Sequence, residues 1–154
     1  MFPSPTPKSE AIRSQAAAMY APLVVACVTV SLFAQRAHWA VRGPAFGPLH
    51  ALFGDVYDGV SAAADRFAER AATLGAADPM GAAETIAVPP LPSTDGLMVC
   101  AALAEVLDAF VVALHTAYDR SEEMRLVADC NALQSVIEDV EKIGWMVRSH
   151  VVTA

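Results

Sequence analysis

The stretch AQRAHWAVRGPAFGPLHALFGDVYDGVSAAADRFAERAATLG, residues 34–75, decides the architecture. Phe46, Leu49, Phe53, Val56, Tyr57, Val60, Ala64, Phe67, Ala71 and Leu74 recur every three or four residues, one apolar stripe on one long helix. Gly75 ends that helix as a left-handed cap, and Arg42-Gly43-Pro44 is the turn before it. Upstream, Ala17, Tyr20, Ala21, Val24, Cys27, Val28 and Leu32 mark a first helix reaching about Ala37, with Thr6 or Ser9 as its cap and Pro22 as a kink or a late start. Residues 1–8, MFPSPTPK, read as a flexible tail, and residues 9–152 as one domain.

Downstream, residues 76–93 form a long connection broken by Pro79, Pro89, Pro90 and Pro92, with one short helical turn expected at 82–87. Ser93 or Thr94 caps a third helix, and Asp129 a fourth through Val136, Val140, Ile143 and Val147. The fold class is all-α. Four long helices with one long crossover between the second and third give a ferritin-like four-helix bundle.

The 154 residues are 55% hydrophobic and 18% charged, which excludes a disordered chain. A net charge of −7 repels phosphate backbones, and the N-terminal tail offers only Lys8 and, just inside the helix, Arg13, so DNA binding is expected to be weak or absent. Three widely spaced cysteines form neither a disulfide framework nor a metal knuckle and suit a cytoplasmic protein. Residues 16–34 carry no formal charge, but Pro22, Thr29 and Ser31 interrupt them; a buried first helix is expected rather than a membrane span.

No GxGxxG, P-loop, GxSxG or HExxH motif is present. What remains is His38, His50, Asp58, Asp65 and Glu69. Asp65 and Glu69 stand four apart on one helix face, a pair that is usually plain solvated surface. At about 100° per residue, His50, Asp65 and Glu69 line one flank beside the apolar stripe, yet His50 and Asp65 lie about 22 Å apart along the axis. They cannot share a metal within one chain. Packed antiparallel across a two-fold axis, His50 of one copy faces Asp65 and Glu69 of the other, with small Gly59, Ser61 and Ala62 near the centre and His38 supplied by the preceding turn.

His38-Trp39, Gly43 to Phe46, Leu49-His50, Phe53, Asp65, Ala68-Glu69-Arg70 and Leu74-Gly75 resemble the pattern of the Dps miniferritins, and the closing Glu141-Lys142…Trp145 segment is similar too. The resemblance implies a dodecameric shell that oxidises Fe(II), usually with hydrogen peroxide, stores the iron and protects against oxidative stress. It implies a two-fold iron site of His38 and His50 from one chain and Asp65 and Glu69 from the other, with Trp39 intercepting oxidising equivalents. Where the family usually has Asp, four residues after the second histidine, this chain has Gly54; Asp58 shares the face one turn on. The missing carboxylate implies weaker binding of iron, and the rival reading is a shell that acts by compacting DNA. His115 and His150 have no partner at a suitable spacing, and Glu122, Glu123 and Asp129 are candidates for an acidic pore at the junction of the third and fourth helices.

Overall fold

Ser9 starts the first helix by accepting the Ile12 N–H at 3.4 Å. α1 spans Glu10–Ala40 in the computed structural model, which describes residues 4–81 and 85–151. It runs through Pro22 and ends a turn later than the apolar pattern suggests. α2 is Phe46–Leu74, closed by Gly75 in the left-handed conformation, φ 111°. α3 is Gly96–Glu123 and α4 is Val127–Arg148, joined by a tight turn with Arg125 at φ 53°. α1 packs on α2 and α3 on α4 as two hairpins, with α1 also against α3 and α2 against α4. Among the described residues there is no strand, only an isolated parallel bridge between Arg42 and Asp95.

Two caps differ from the sequence expectation. Asp95, not Ser93 or Thr94, caps α3: its carboxylate accepts the Leu97 and Met98 N–H groups at 3.0 and 3.1 Å, while Ser93 Oγ accepts the Asp95 N–H. Asp129 does not cap α4, which begins after Leu126; it sits in the first turn with its side chain wholly buried. There Tyr20 Oη donates to Oδ1 at 2.7 Å, and Arg70 donates from Nε to Oδ1 at 3.0 Å and from Nη2 to Oδ2 at 2.7 Å. One carboxylate thus ties α1, α2 and α4 together with a bidentate, charge-assisted pair.

The crossover between α2 and α3 reaches its end without helix over residues 85–93, where Pro89, Pro90 and Pro92 withhold three backbone donors. The short turn expected at 82–87 is therefore not helical at 85–87, and residues 82–84 lie outside the described residues. The crossover is pinned at its far end: the Arg42 N–H donates to the Thr94 carbonyl at 2.9 Å. Immediately after, Gly96 lies so close to α2 that any Cβ there would collide with Leu49 Cδ1. The described part of the tail touches the bundle. Ser4 Oγ donates to Thr73 O at 2.6 Å and Lys8 Nζ to Met124 O at 3.3 Å, so residues 4–8 lie across the ends of α2 and α3.

The core holds Tyr20, Phe33, Phe53, Phe67, Leu103, Leu107 and Leu114, and two of the cysteines with them. Burial pushes the Cys27 thiol up from 9.0 to about 12 and the Cys100 thiol up to about 11, Asp95 adding to the latter. Burial and then Asp129 push the Tyr20 hydroxyl up as well. Each group is neutral in the fold and ionises more readily when unfolded. Their contribution is whole below about pH 9 and is lost as pH rises through 11 and 12. Urea midpoints should accordingly fall from about pH 9 upward, and Cys27 and Cys100 should resist alkylation at pH 8, where the thiolate is the reactive form. A midpoint that is flat to pH 11 would contradict this account.

Candidate metal centre

Residues 41–45 fold α2 back along the end of α1, and that turn sets His38 against His50. Their rings stack with centroids 3.7 Å apart and planes 22° apart. Each ring bonds the other residue's main chain: His38 Nδ1 lies 2.7 Å from the His50 carbonyl oxygen, and His50 Nδ1 lies 2.8 Å from the His38 carbonyl oxygen. A carbonyl only accepts, so each Nδ1 is the donor, and in the neutral ring this leaves the lone pair on Nε2. The reciprocal clasp fixes tautomer and ring direction together, as outer partners do for metal-binding imidazoles. It also supplies a donor to the His38 carbonyl in the last turn of α1, where helical donors run out.

Phe46, one turn before His50 on α2, stacks on it at 5.1 Å. His38, Trp39, Arg42, Phe46 and His50 line an open cavity of about 380 Å³ that holds no carboxylate. The Arg42 guanidinium donates to the Trp39 and Val41 carbonyls at 3.0 and 2.7 Å, satisfying the negative end of α1. Trp39 is 62% exposed.

The acidic candidates are elsewhere. Asp58, Asp65 and Glu69 are all exposed along α2, further toward its C-terminal end than His50. Among the described residues no group of three or more His, Cys, Asp or Glu side chains is placed to hold a metal within one chain. Arg70, next to Glu69 in the motif, belongs to the fold through Asp129. His115 is not without a partner, since its Nε2 lies 2.9 Å from Glu141 Oε1 across the α3–α4 pair. Asp129 is inside the bundle and cannot line a pore, while Glu122 accepts the Tyr118 hydroxyl at 2.9 Å. The histidine clasp was hidden from the spacing alone. Its nearest signal is the glycine one turn after His50, a poor helix former in mid-helix.

A model of the ferritin-like domain matches residues 25–154. The Dps of Microbacterium arborescens, solved in a high iron form, superimposes with a TM-score of 0.83 at 26% identity, over 94% of this chain and 97% of that one. The chain belongs to the ferritin-like family, as a Dps miniferritin. The DNA protection during starvation protein 2 of Deinococcus radiodurans is 31% identical over 130 residues, 79% of this chain and 52% of that protein. A low temperature-induced protein of Nostoc is 30% identical over 76% of this chain and 69% of its own length. The miniferritin chain thus spans about half of the first relative and about two thirds of the second. In fold it is similar to Mycobacterium smegmatis Dps, with a TM-score of 0.89 at 23% identity over 99% of this chain and 96% of that one.

Proposed function

We propose that this Dps miniferritin stores iron in a closed shell of about twelve copies and oxidises Fe(II) at sites shared across two-fold axes. Each site takes His38 and His50 from one chain and the partner subunit's Asp65 and Glu69. The observation that carries this reading is the histidine clasp: two imidazoles with their Nδ1 protons tied to main-chain carbonyls and their Nε2 lone pairs free, in a cavity without a carboxylate. Such a half-site is incomplete alone, and the exposed acids of α2 are its natural complement. Imidazole with carboxylate suits Fe(II), which is the substrate here. Two neutral imidazoles and two carboxylates offset the charge of one Fe(II), and loss of an electron strengthens the pull of both acids. With hydrogen peroxide as oxidant, two Fe(II) each give up one electron, the O–O bond breaks, and two protons complete two waters. Trp39, exposed beside the histidines, is placed to give up an electron when only one Fe(II) is at hand, and Asp58 holds a further cation near the axis. The protein would in this way remove peroxide and free iron together, in the cytoplasm.

Apolar surface supports assembly: Val112, Val127 and Trp145 on α3 and α4 are each at least 66% exposed. Both α1 and α3 contain a stretch apolar enough to cross a membrane, and in α3 only 39% of that stretch is buried in the bundle. Contact with other copies is the covering this surface calls for. Light scattering should give a particle of about twelve chains; a stable 16.2 kDa monomer at micromolar concentration would overturn the shell reading.

DNA is not proposed as a partner, because the chain carries −7 and Lys8 is held on Met124 O. A mobility shift at physiological salt and sub-micromolar protein would reverse that. The function itself is tested by anaerobic Fe(II) titration followed by stoichiometric peroxide. Saturable Fe(II) binding and a rapid ferric absorbance are expected; absence of both would reject the proposal.

A further inference from the structure

Among the side chains of α2 that flank the histidine clasp, one is missing: Gly54, a turn after His50. A Cβ built there would lie 3.3 Å from His38 Nδ1 and 3.4 Å from His38 Cε1, and would meet no other atom within 4 Å beyond its neighbours and its own helix backbone. Glycine in the middle of a long helix is disfavoured against alanine. At this position the one thing the bare flank makes room for is the seat of His38.

We propose that Gly54 is a positioning residue: the space it leaves lets His38 rest with Nδ1 on the His50 carbonyl and so aims its Nε2 at the incoming cation. This rests on the reading of the clasp as the Fe(II)-binding half-site. The ring borders the open cavity, so any retreat carries it away from the clasp. It is stacked on His50, which is itself stacked on Phe46, and the His50 carbonyl is held in place as part of the α2 ladder. A Cβ 3.4 Å from Cε1 is inside ordinary carbon contact distance, about 3.5–4.0 Å, and one 3.3 Å from Nδ1 is tight as well, so the ring must give by a few tenths of an ångström. Any such shift bends or lengthens the 2.7 Å bond to the carbonyl. Because the clasp is reciprocal, a displaced His38 also moves the acceptor of His50 Nδ1.

The test uses the assembled protein with Gly54→Ala and Gly54→Asp, anaerobic Co(II) as a coloured probe, and thermal melting by circular dichroism. Gly54→Ala is expected to melt at or above the wild-type temperature while Co(II) affinity falls about ten- to hundredfold and the visible Co(II) bands change. A residue with a merely structural role would move affinity and melting together. Gly54→Asp brings its own acceptor for the His38 Nδ1 proton together with the carboxylate this chain lacks, and should bind Co(II) more tightly than Gly54→Ala. Wild-type affinity and spectrum in Gly54→Ala, a parallel fall in melting temperature, or Gly54→Asp binding no tighter than Gly54→Ala would each overturn the positioning role while leaving the half-site reading intact. That reading fails separately, if the wild type takes up no Co(II) or if His50→Ala binds it as tightly.

Discussion

Shells made of His50→Ala and shells made of Glu69→Ala should each lose rapid peroxide-dependent Fe(II) oxidation, by roughly a hundredfold or more, and shells refolded from both together should regain part of it. The two positions are about 28 Å apart along α2, too far to serve one ion in one chain. Across a two-fold axis, a pair made of one mutant of each kind has one site lacking both ligands and one site intact. Random mixing makes half of all pairs mixed, so about a quarter of the sites should work. Stopped-flow absorbance of ferric product on co-refolded shells measures this directly. Recovery near a quarter supports sites shared between subunits, while no recovery at all would show that the histidines and Glu69 serve different sites.

The second large effect is on stability. Asp129→Ala should cost about 3–5 kcal/mol, because it leaves the Arg70 guanidinium, 17% exposed, without its partner and the buried Tyr20 hydroxyl without its acceptor. Arg70→Met alone should cost a comparable amount, since it strands a fully buried carboxylate. Replacing both, with Arg70→Met and Asp129→Leu, should cost clearly less than the two singles added together, as neither charge is then left alone. Denaturant unfolding of the four proteins at pH 7 gives the comparison. A fully additive double mutant would mean that the two side chains do not act as a pair.

Much of the fold was legible because its deciding signals are local. The stripe from Phe46 to Leu74 and the stop at Gly75 need only helical periodicity and one left-handed residue, and α2 has those bounds. What escaped were contacts between residues distant in sequence. Asp129 looks like a cap because acidic residues favour helix starts, but Arg70, 59 positions away, and Tyr20, 109 positions away, draw it inward. Asp95 displaced Ser93 and Thr94 as the α3 cap because the bridge to Arg42 fixes where the crossover ends. Nothing local to Lys8 signals that Met124 O lies within its reach. In the candidate site, spacing alone separated the histidines from Asp65 and Glu69. It gave no hint that each imidazole grips the other residue's backbone, since that depends on how closely two helices approach.

The hook between the Arg42 N–H and the Thr94 carbonyl, backed by Gly96 against Leu49, sets an order of events during synthesis. His38 and His50 leave the ribosome well before Thr94 does, and the α1–α2 hairpin that holds them is complete by Gly75. Its turn nevertheless keeps an unpaired N–H, and Leu49, next to His50, stays uncovered, until the crossover is complete and α3 begins. A half-made chain therefore holds its two imidazoles without the cover of α3. On the proposed reading, the firm seat arrives with the second half of the bundle and the acids that complete it arrive with another copy, so that oxidising chemistry waits for a finished container.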